Sequence, residues 1–380
     1  MLNLIWIGFF LTALLAALWQ ALVGGQTDIF AALMKAAFDN ARLAFEIALG
    51  LTGVMCLWLG IMKVGERAGL LDWLAGLLAP LFVRLFPGVP RGHPALGSIT
   101  MNMAANLLGL DNAATPMGIK AMRELQALNP DKTTASDAQI LFLVINASSI
   151  TLLPVTIFTY RAQLGAVDPT DVFIPILFAT YCSTLAGFAF VAAVQRLRLD
   201  AVVWSWLAGL SVCVGGLAAW FASLPAAAMA AQSSLLSNAL LLGVIATFLV
   251  AALVRRVNAY EAFIEGAKEG FNVAVTIIPY LVAMLVAIGL LRASGALGLA
   301  MDGVRVGVAA LGADTAWVDA LPTMLMKPLS GSGARAMMIE TMQAHGADSF
   351  AGRLASVVQG STETTFYVLA VYFGAVGIQR

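Results

Sequence analysis

Residues 2–23, 172–195, 202–222, 234–254 and 273–291 each run without a single Asp, Glu, Lys or Arg. Crossing roughly 30 Å of hydrocarbon takes about 20 helical residues, so five such stretches dictate a bilayer as the surrounding solvent. In that solvent every backbone N–H and C=O needs an internal partner, and a helix supplies one within its own segment. Three less clean stretches, 43–63, 138–160 and 361–378, are further candidate spans. Composition agrees: 61% of residues are hydrophobic and 11% charged, with a mean hydropathy of +0.90, where soluble domains carry about 25% charged residues. The expectation is an all-α, polytopic transmembrane helical bundle in contact with lipid.

Between the spans lie apolar pieces too short or too interrupted by Gly and Pro to cross alone: 70–86, 95–110, 296–311 and 317–329. They predict discontinuous or re-entrant helices, whose freed backbone groups are tolerated where protein or water satisfies them. Residues 2–23 lack a preceding basic residue and a small-residue cleavage pattern, so this segment is expected to be retained. Arg196, Arg198, Arg255 and Arg256 flank the 202–254 pair of spans, while its joining loop carries no charge. Positive residues favour the cytoplasmic side, which places that loop outside and both termini in the cytoplasm. Basic and acidic residues balance at 21 each, without a basic run, so nucleic acid is not expected as a partner.

The two halves echo one another. Ala37-Phe38 opens a stretch reaching Arg67-Ala68-Gly69, and Ala262-Phe263 opens one reaching Arg292-Ala293-Ser294-Gly295. Broken pieces follow in both, then a polar-headed apolar run. Three candidate spans separate the copies, which predicts inverted repeats with a boundary near residue 200, the plan of many secondary transporters. Amphipathic lead-ins at 28–42 and 256–271 are expected along the interface or against a second protomer in a homodimer.

Polar residues cluster at the breaks. In the first half they are Asn102, Asn106, Asn112, Thr115, Asn146, Ser148 and Ser149; in the second, Lys327, Ser330, Ser332, Arg335, Gln359, Ser361, Thr362 and Glu363. Asn102 and Asn106 are four apart and share a helix face, while Asn112, Thr115 and Pro116 are placed to cap the helix that follows. Burying an ionised side chain at membrane depth costs roughly 2.5–3.5 kcal/mol, which marks Glu363 as functional unless it is paired. Two readings stand for Lys327 and Glu363: an ion pair holding two broken segments together, or a site that exchanges a proton or coordinates solute. Asn, Ser and Thr also join membrane helices by plain hydrogen bonds. Their clustering in both halves favours a shared small polar solute site. His93 and His345 lack zinc spacing, no metal is expected, and the absence of GxSxG, HExxH and cofactor fingerprints argues against an enzyme or a bound cofactor.

These motifs carry a resemblance. The first half resembles spore maturation protein A through His93-Pro94-Ala95-Leu96-Gly97-Ser98, Gly109-Leu110-Asp111-Asn112-Ala113-Ala114-Thr115-Pro116-Met117-Gly118 and Asn146-Ala147-Ser148-Ser149. The second resembles spore maturation protein B through Ile278-Pro279-Tyr280, Met326-Lys327-Pro328-Leu329-Ser330-Gly331 and Gly360-Ser361-Thr362-Glu363-Thr364-Thr365-Phe366-Tyr367. The resemblance implies two gate, or nucleoside-recognition, repeats: an A-like half over 1–200 with its repeat at 28–160, and a B-like half over 201–380 with its repeat at 256–378. It implies a membrane transport role; together with the polar breaks and inverted repeats, the expectation is a bacterial inner-membrane protein that moves a small polar solute by alternating access. The alternative is a non-transporting scaffold or sensor for cell-envelope or spore maturation.

Overall fold

The computed structural model describes residues 2–108, 111–148 and 150–378. Among them there is no strand, and sixteen α-helices follow in chain order. The first is α1 (Leu2–Leu22). A series of six comes next: α2 (Ile29–Arg67), α3 (Leu70–Leu85), α4 (Pro94–Leu107), α5 (Asp111–Leu128), α6 (Asp137–Ala147) and α7 (Val155–Gln163). Three long helices lead to the second half: α8 (Phe173–Val194), α9 (Ala201–Ala222) and α10 (Ala226–Val254). A second series of six closes the chain: α11 (Ala259–Ala293), α12 (Ala296–Ala310), α13 (Leu321–Met326), α14 (Gly331–His345), α15 (Phe350–Ser361) and α16 (Thr365–Gly374). A long helix thus opens each series. It turns sharply into the next helix at Gly69 or Gly295, with φ of 76° and 71°, a left-handed conformation that glycine adopts at little steric cost.

Six helices are long and apolar enough to cross a membrane: Asn3–Leu22, Ile29–Arg67, Phe173–Val194, Ala201–Ala222, Ala231–Val254 and Ala259–Ala293. Leu15 and Trp19 of α1, Val212 of α9 and Leu253 of α10 are exposed. Apolar faces of this kind mark contact with lipid or with another protein, and helices of spanning length carry them here. The protein is therefore a multi-pass membrane protein.

Three expectations change. The lead-ins at 28–42 and 256–271 run on into the spans behind them, as parts of α2 and of α11, which continues through Gly270 and Pro279; α2, at 39 residues, is about 58 Å long. The stretches 138–160 and 361–378 are not single spans. Each breaks at its polar head, into α6 and α7 before Pro154, and into α15 and α16 across Thr362-Glu363-Thr364. Proline disfavours helix in the residue before it, and Ser and Thr side chains compete for backbone partners.

Contacts divide the chain into two compact units. The first holds Met1–Trp58, Thr156–Pro169 and Ala267–Gln359; the second holds Leu59–Val155, Thr170–Gly266 and Gly360–Arg380. The core of the second is built from α3 to α6, with Phe82, Phe86, Ile99, Met122 and Phe142 buried together with Tyr372 of α16. In the first, α11 and α14 bury Leu285, Ile288, Met337, Met338 and Ile339. Trp6 of α1 donates its indole N–H to the Ala283 carbonyl at 2.9 Å, and the Gln20 amide donates to the Ser294 carbonyl at 2.7 Å.

Candidate functional site

The second unit brings three asparagines together. Asn102 and Asn106 stand one turn apart on α4, and Asn146 is in the last turn of α6. Asn146 Nδ2 donates to Asn102 Oδ1 at 2.5 Å, Asn106 Nδ2 donates to Asn146 Oδ1 at 3.0 Å, and Asn102 Nδ2 donates to the Ala114 carbonyl of α5 at 2.7 Å. Asn102 and Asn146 are buried and Asn106 half-buried. Such side chains in an apolar core are stable only when their polar atoms are partnered. The broken ends meet here as well: Leu152 N–H donates to the Leu107 carbonyl at 3.1 Å, and Glu363 N–H donates to the Ala147 carbonyl at 2.8 Å.

Thr115 and Pro116 lie inside α5, which begins at Asp111, so they do not cap it. Pro116 has no N–H to give, which leaves the carbonyl four residues earlier without its helical donor. Ser148 is buried, and its hydroxyl donates to the Val144 carbonyl at 2.7 Å. Ser149, Gly109 and Leu110 lie outside the described residues, as does the side chain of Asn112. Ser361 and Thr362 are half-buried at the α15–α16 break, and the Glu363 side chain is exposed there.

The first unit holds the remaining sequence-derived residues. Lys327, buried just after α13, donates from Nζ to the Gln359 carbonyl at 2.7 Å. Ser330 caps α14, its Oγ accepting from Gly333 N–H at 3.0 Å and lying 3.3 Å from Ser332 Oγ. The Arg335 guanidinium stands 5.7 Å from the centre of the buried Tyr160 ring, within the range of a cation–π contact. Three polar atoms near these residues in the chain are buried without a hydrogen-bond partner: Thr323 Oγ1, Arg335 Nε and Gln359 Oε1. Ser332 also lines an apolar recess of about 270 Å³ with Asn3, Trp6, Tyr280, Ala283 and Met284.

Several polar residues were not anticipated. Arg161 is fully buried at the end of α7. Its guanidinium donates to the Ala347 carbonyl at 2.7 Å, the Pro169 carbonyl at 3.2 Å and Asp348 Oδ1 at 3.2 Å. Glu340, buried on α14, forms an ion pair with Arg292 of α11. A lone acid within Met337-Met338-Ile339-Glu340-Thr341-Met342 was a readable sign of Glu340, since an unpaired charge among methionines is costly. Tyr372 carries no such sign. Its hydroxyl stands beside Asn102 at Gly118, where an added methyl group would overlap the hydroxyl and meet Asn102 Nδ2 as well.

Comparison with known proteins decides the family. Residues 48–163 and 274–379, more than half of the chain and one stretch in each half, match the family described as Gate: nucleoside recognition. The chain belongs to this family. It is 40% identical over 187 residues to spore maturation protein A of Bacillus subtilis (strain 168), an alignment covering 49% of this chain and 92% of that protein. It is 48% identical over 145 residues to spore maturation protein B of the same organism, covering 38% of this chain and 80% of that protein. No solved structure matches. This Gate-family chain is thus similar to two separate proteins.

Proposed function

We propose that the protein is a transporter of a small polar solute in the bacterial inner membrane, working by alternating access. The observation that carries this reading is the trio of buried, unpartnered polar atoms on Thr323, Arg335 and Gln359, in the same unit as the buried ammonium of Lys327. Buried polar groups in native proteins have partners with few exceptions. These three atoms are donors and acceptors that water or a solute entering the site would meet. The Asn102, Asn106 and Asn146 cluster supplies further amide donors and acceptors at helix breaks, the groups a neutral polar solute uses in place of its hydration shell.

The same order of helices, α2 to α7 and α11 to α16, supports two gate repeats, the A-like half over 1–200 and the B-like half over 201–380. The three long helices between them favour an inverted relationship, with both termini cytoplasmic. Lys327, Ser330, Ser332, Arg335 and Gln359 are the proposed solute-binding residues of one unit. Asn102, Asn106, Asn112, Thr115, Asn146, Ser148, Ser149, Ser361, Thr362 and Glu363 are those of the other. Movement arises about the breaks, including Gly331 and Gly333. The test is flux of labelled nucleosides, amino acids and small organic anions into proteoliposomes. At least one solute enters faster than in protein-free vesicles, and Asn106→Ala combined with Glu363→Ala abolishes the excess. Flux unchanged by that pair counts against the placement, and no flux of any solute counts against transport.

A further inference from the structure

The two short helices that end the repeats, α7 and α16, are equivalent. Each finishes in the same turn, with Ala166 N–H donating to the Arg161 carbonyl at 3.0 Å and Ile378 N–H to the Phe373 carbonyl at 3.1 Å. Gly165 and Gly377, with φ of 80° and 73°, precede the donors. The separation from Gly165 to Gly377 equals that from Tyr160 to Tyr372, so the two tyrosines occupy one position of the repeat.

Each helix packs into the core of the opposite repeat, although α7 also touches α2 of its own, where Gln163 lies against Gly50. Residues 156–169 belong to the compact unit built around α11 to α15, and residues 360–380 to the unit built around α3 to α6. α16 packs against α5 and α6. Tyr372 stacks near Phe142 with ring centres 5.8 Å apart, and its hydroxyl fills the space left by Gly118, beside Asn102 Nδ2. Tyr160, buried, lies under Arg335 of α14, and the next residue, Arg161, is held by Ala347 and Asp348 before α15.

We propose that the two halves exchange their closing helices, so that Tyr372 of the second half completes the asparagine cluster of the first and Tyr160 of the first completes the Arg335 environment of the second. The interaction surface of each half is the groove that receives the other's final helix. Its partner is the opposite half of this chain. The reasoning is one of burial. Each tyrosine buries a large ring within the foreign unit, and the fully buried Arg161 gains the Ala347 and Asp348 acceptors there, so a half on its own leaves a ring-sized void and an Arg161 without those two acceptors. The inference holds whether or not the protein transports.

Hydrogen exchange on the full-length protein in mild detergent tests it, with Tyr372→Ala and Tyr160→Ala as the variants. Local opening free energies follow local packing. Tyr372→Ala raises exchange about tenfold or more in α4 to α6, which lie more than 200 residues away in sequence, and leaves α12 to α14 unchanged. Tyr160→Ala raises exchange in α14 and leaves α4 to α6 unchanged. Increases confined to the half that carries the substitution overturn the proposal. Should either variant fail to fold, a protease site between Leu224 and Pro225 of the otherwise unaltered chain gives the answer. After cleavage the fragments co-elute one to one on size exclusion. Separation into two species that each keep native exchange protection overturns it.

Discussion

Replacing Asn146 by Ala removes the hub of the amide cluster. Two bonds disappear: Asn146 Nδ2 to Asn102 Oδ1 at 2.5 Å, and Asn106 Nδ2 to Asn146 Oδ1 at 3.0 Å. Asn106 Nδ2 keeps a long contact to Asn102 Oδ1 at 3.4 Å, and Asn102 keeps the Ala114 carbonyl. A single interhelical hydrogen bond in a membrane protein is worth about 0.6 kcal/mol on average and about 1.7 at most. Leaving a buried polar group poorly satisfied costs about 1–3 kcal/mol. The two lost bonds are partly offset by the surviving contacts, so the expected loss is about 1–3 kcal/mol in total. Reversible unfolding in mixed detergent, scored by helical content, measures it. Asn238→Ala is the control, because the exposed Asn238 bonds only to Ser234 within its own helix. A double-mutant cycle of Asn102→Ala with Asn146→Ala should give a coupling of roughly 0.5–1.5 kcal/mol. A loss no larger than the control's, together with additive single changes, refutes the view that these amides bind each other.

Three other outcomes follow from the same packing. Gly118→Ala drives a methyl group into the buried Tyr372 hydroxyl and should destabilise the protein by about 1–3 kcal/mol, the usual cost of overpacking; combination with Tyr372→Ala relieves part of that cost. Ser330→Ala removes the cap on α14 and should cost about 1 kcal/mol in the same unfolding assay. Asp131, in the loop between α5 and α6, is held down to about 2 by the Thr133 backbone N–H and the Thr134 and Thr133 hydroxyls. Its folded value lies below the unfolded value of about 3.9, so its contribution is present above that pH and fades as pH falls toward the folded value. The thermal-midpoint gap between wild type and Asp131→Asn therefore shrinks between pH 5 and pH 3.

What was legible in the sequence was what a bilayer imposes locally. The charge-free runs at 2–23, 172–195 and 202–222 coincide with α1, α8 and α9 to within a few residues, since hydropathy over one helix length is a local property. The broken pieces after Gly69 and Gly295 were visible for the same reason. The breaks at Asn146 to Pro154 and Ser361 to Thr364 were read as polar heads of intact spans, because hydropathy averages over a few non-helical residues. Of the site, the asparagine pair on α4 followed from helical spacing, and Asn146 was named without its partners. Tyr372 beside Asn102, Tyr160 beneath Arg335 and Arg161 beside Asp348 join residues 175 or more positions apart. Such contacts depend on how the chain exchanges helices, and nothing in local periodicity encodes them.

Thiol accessibility tests the solute path most directly. With Cys56, Cys182 and Cys213 replaced by Ser, single cysteines are placed at Asn106, at Ser332 and, as a lipid-facing control, at the exposed Leu210 of α9. Intact spheroplasts and inverted vesicles are then exposed to a membrane-impermeant thiol reagent. If the polar breaks line a watered path, the cysteines at 106 and 332 react from at least one side while that at 210 stays inert. Cysteines at 106 and 332 as unreactive as the one at 210, from both sides, would contradict the account.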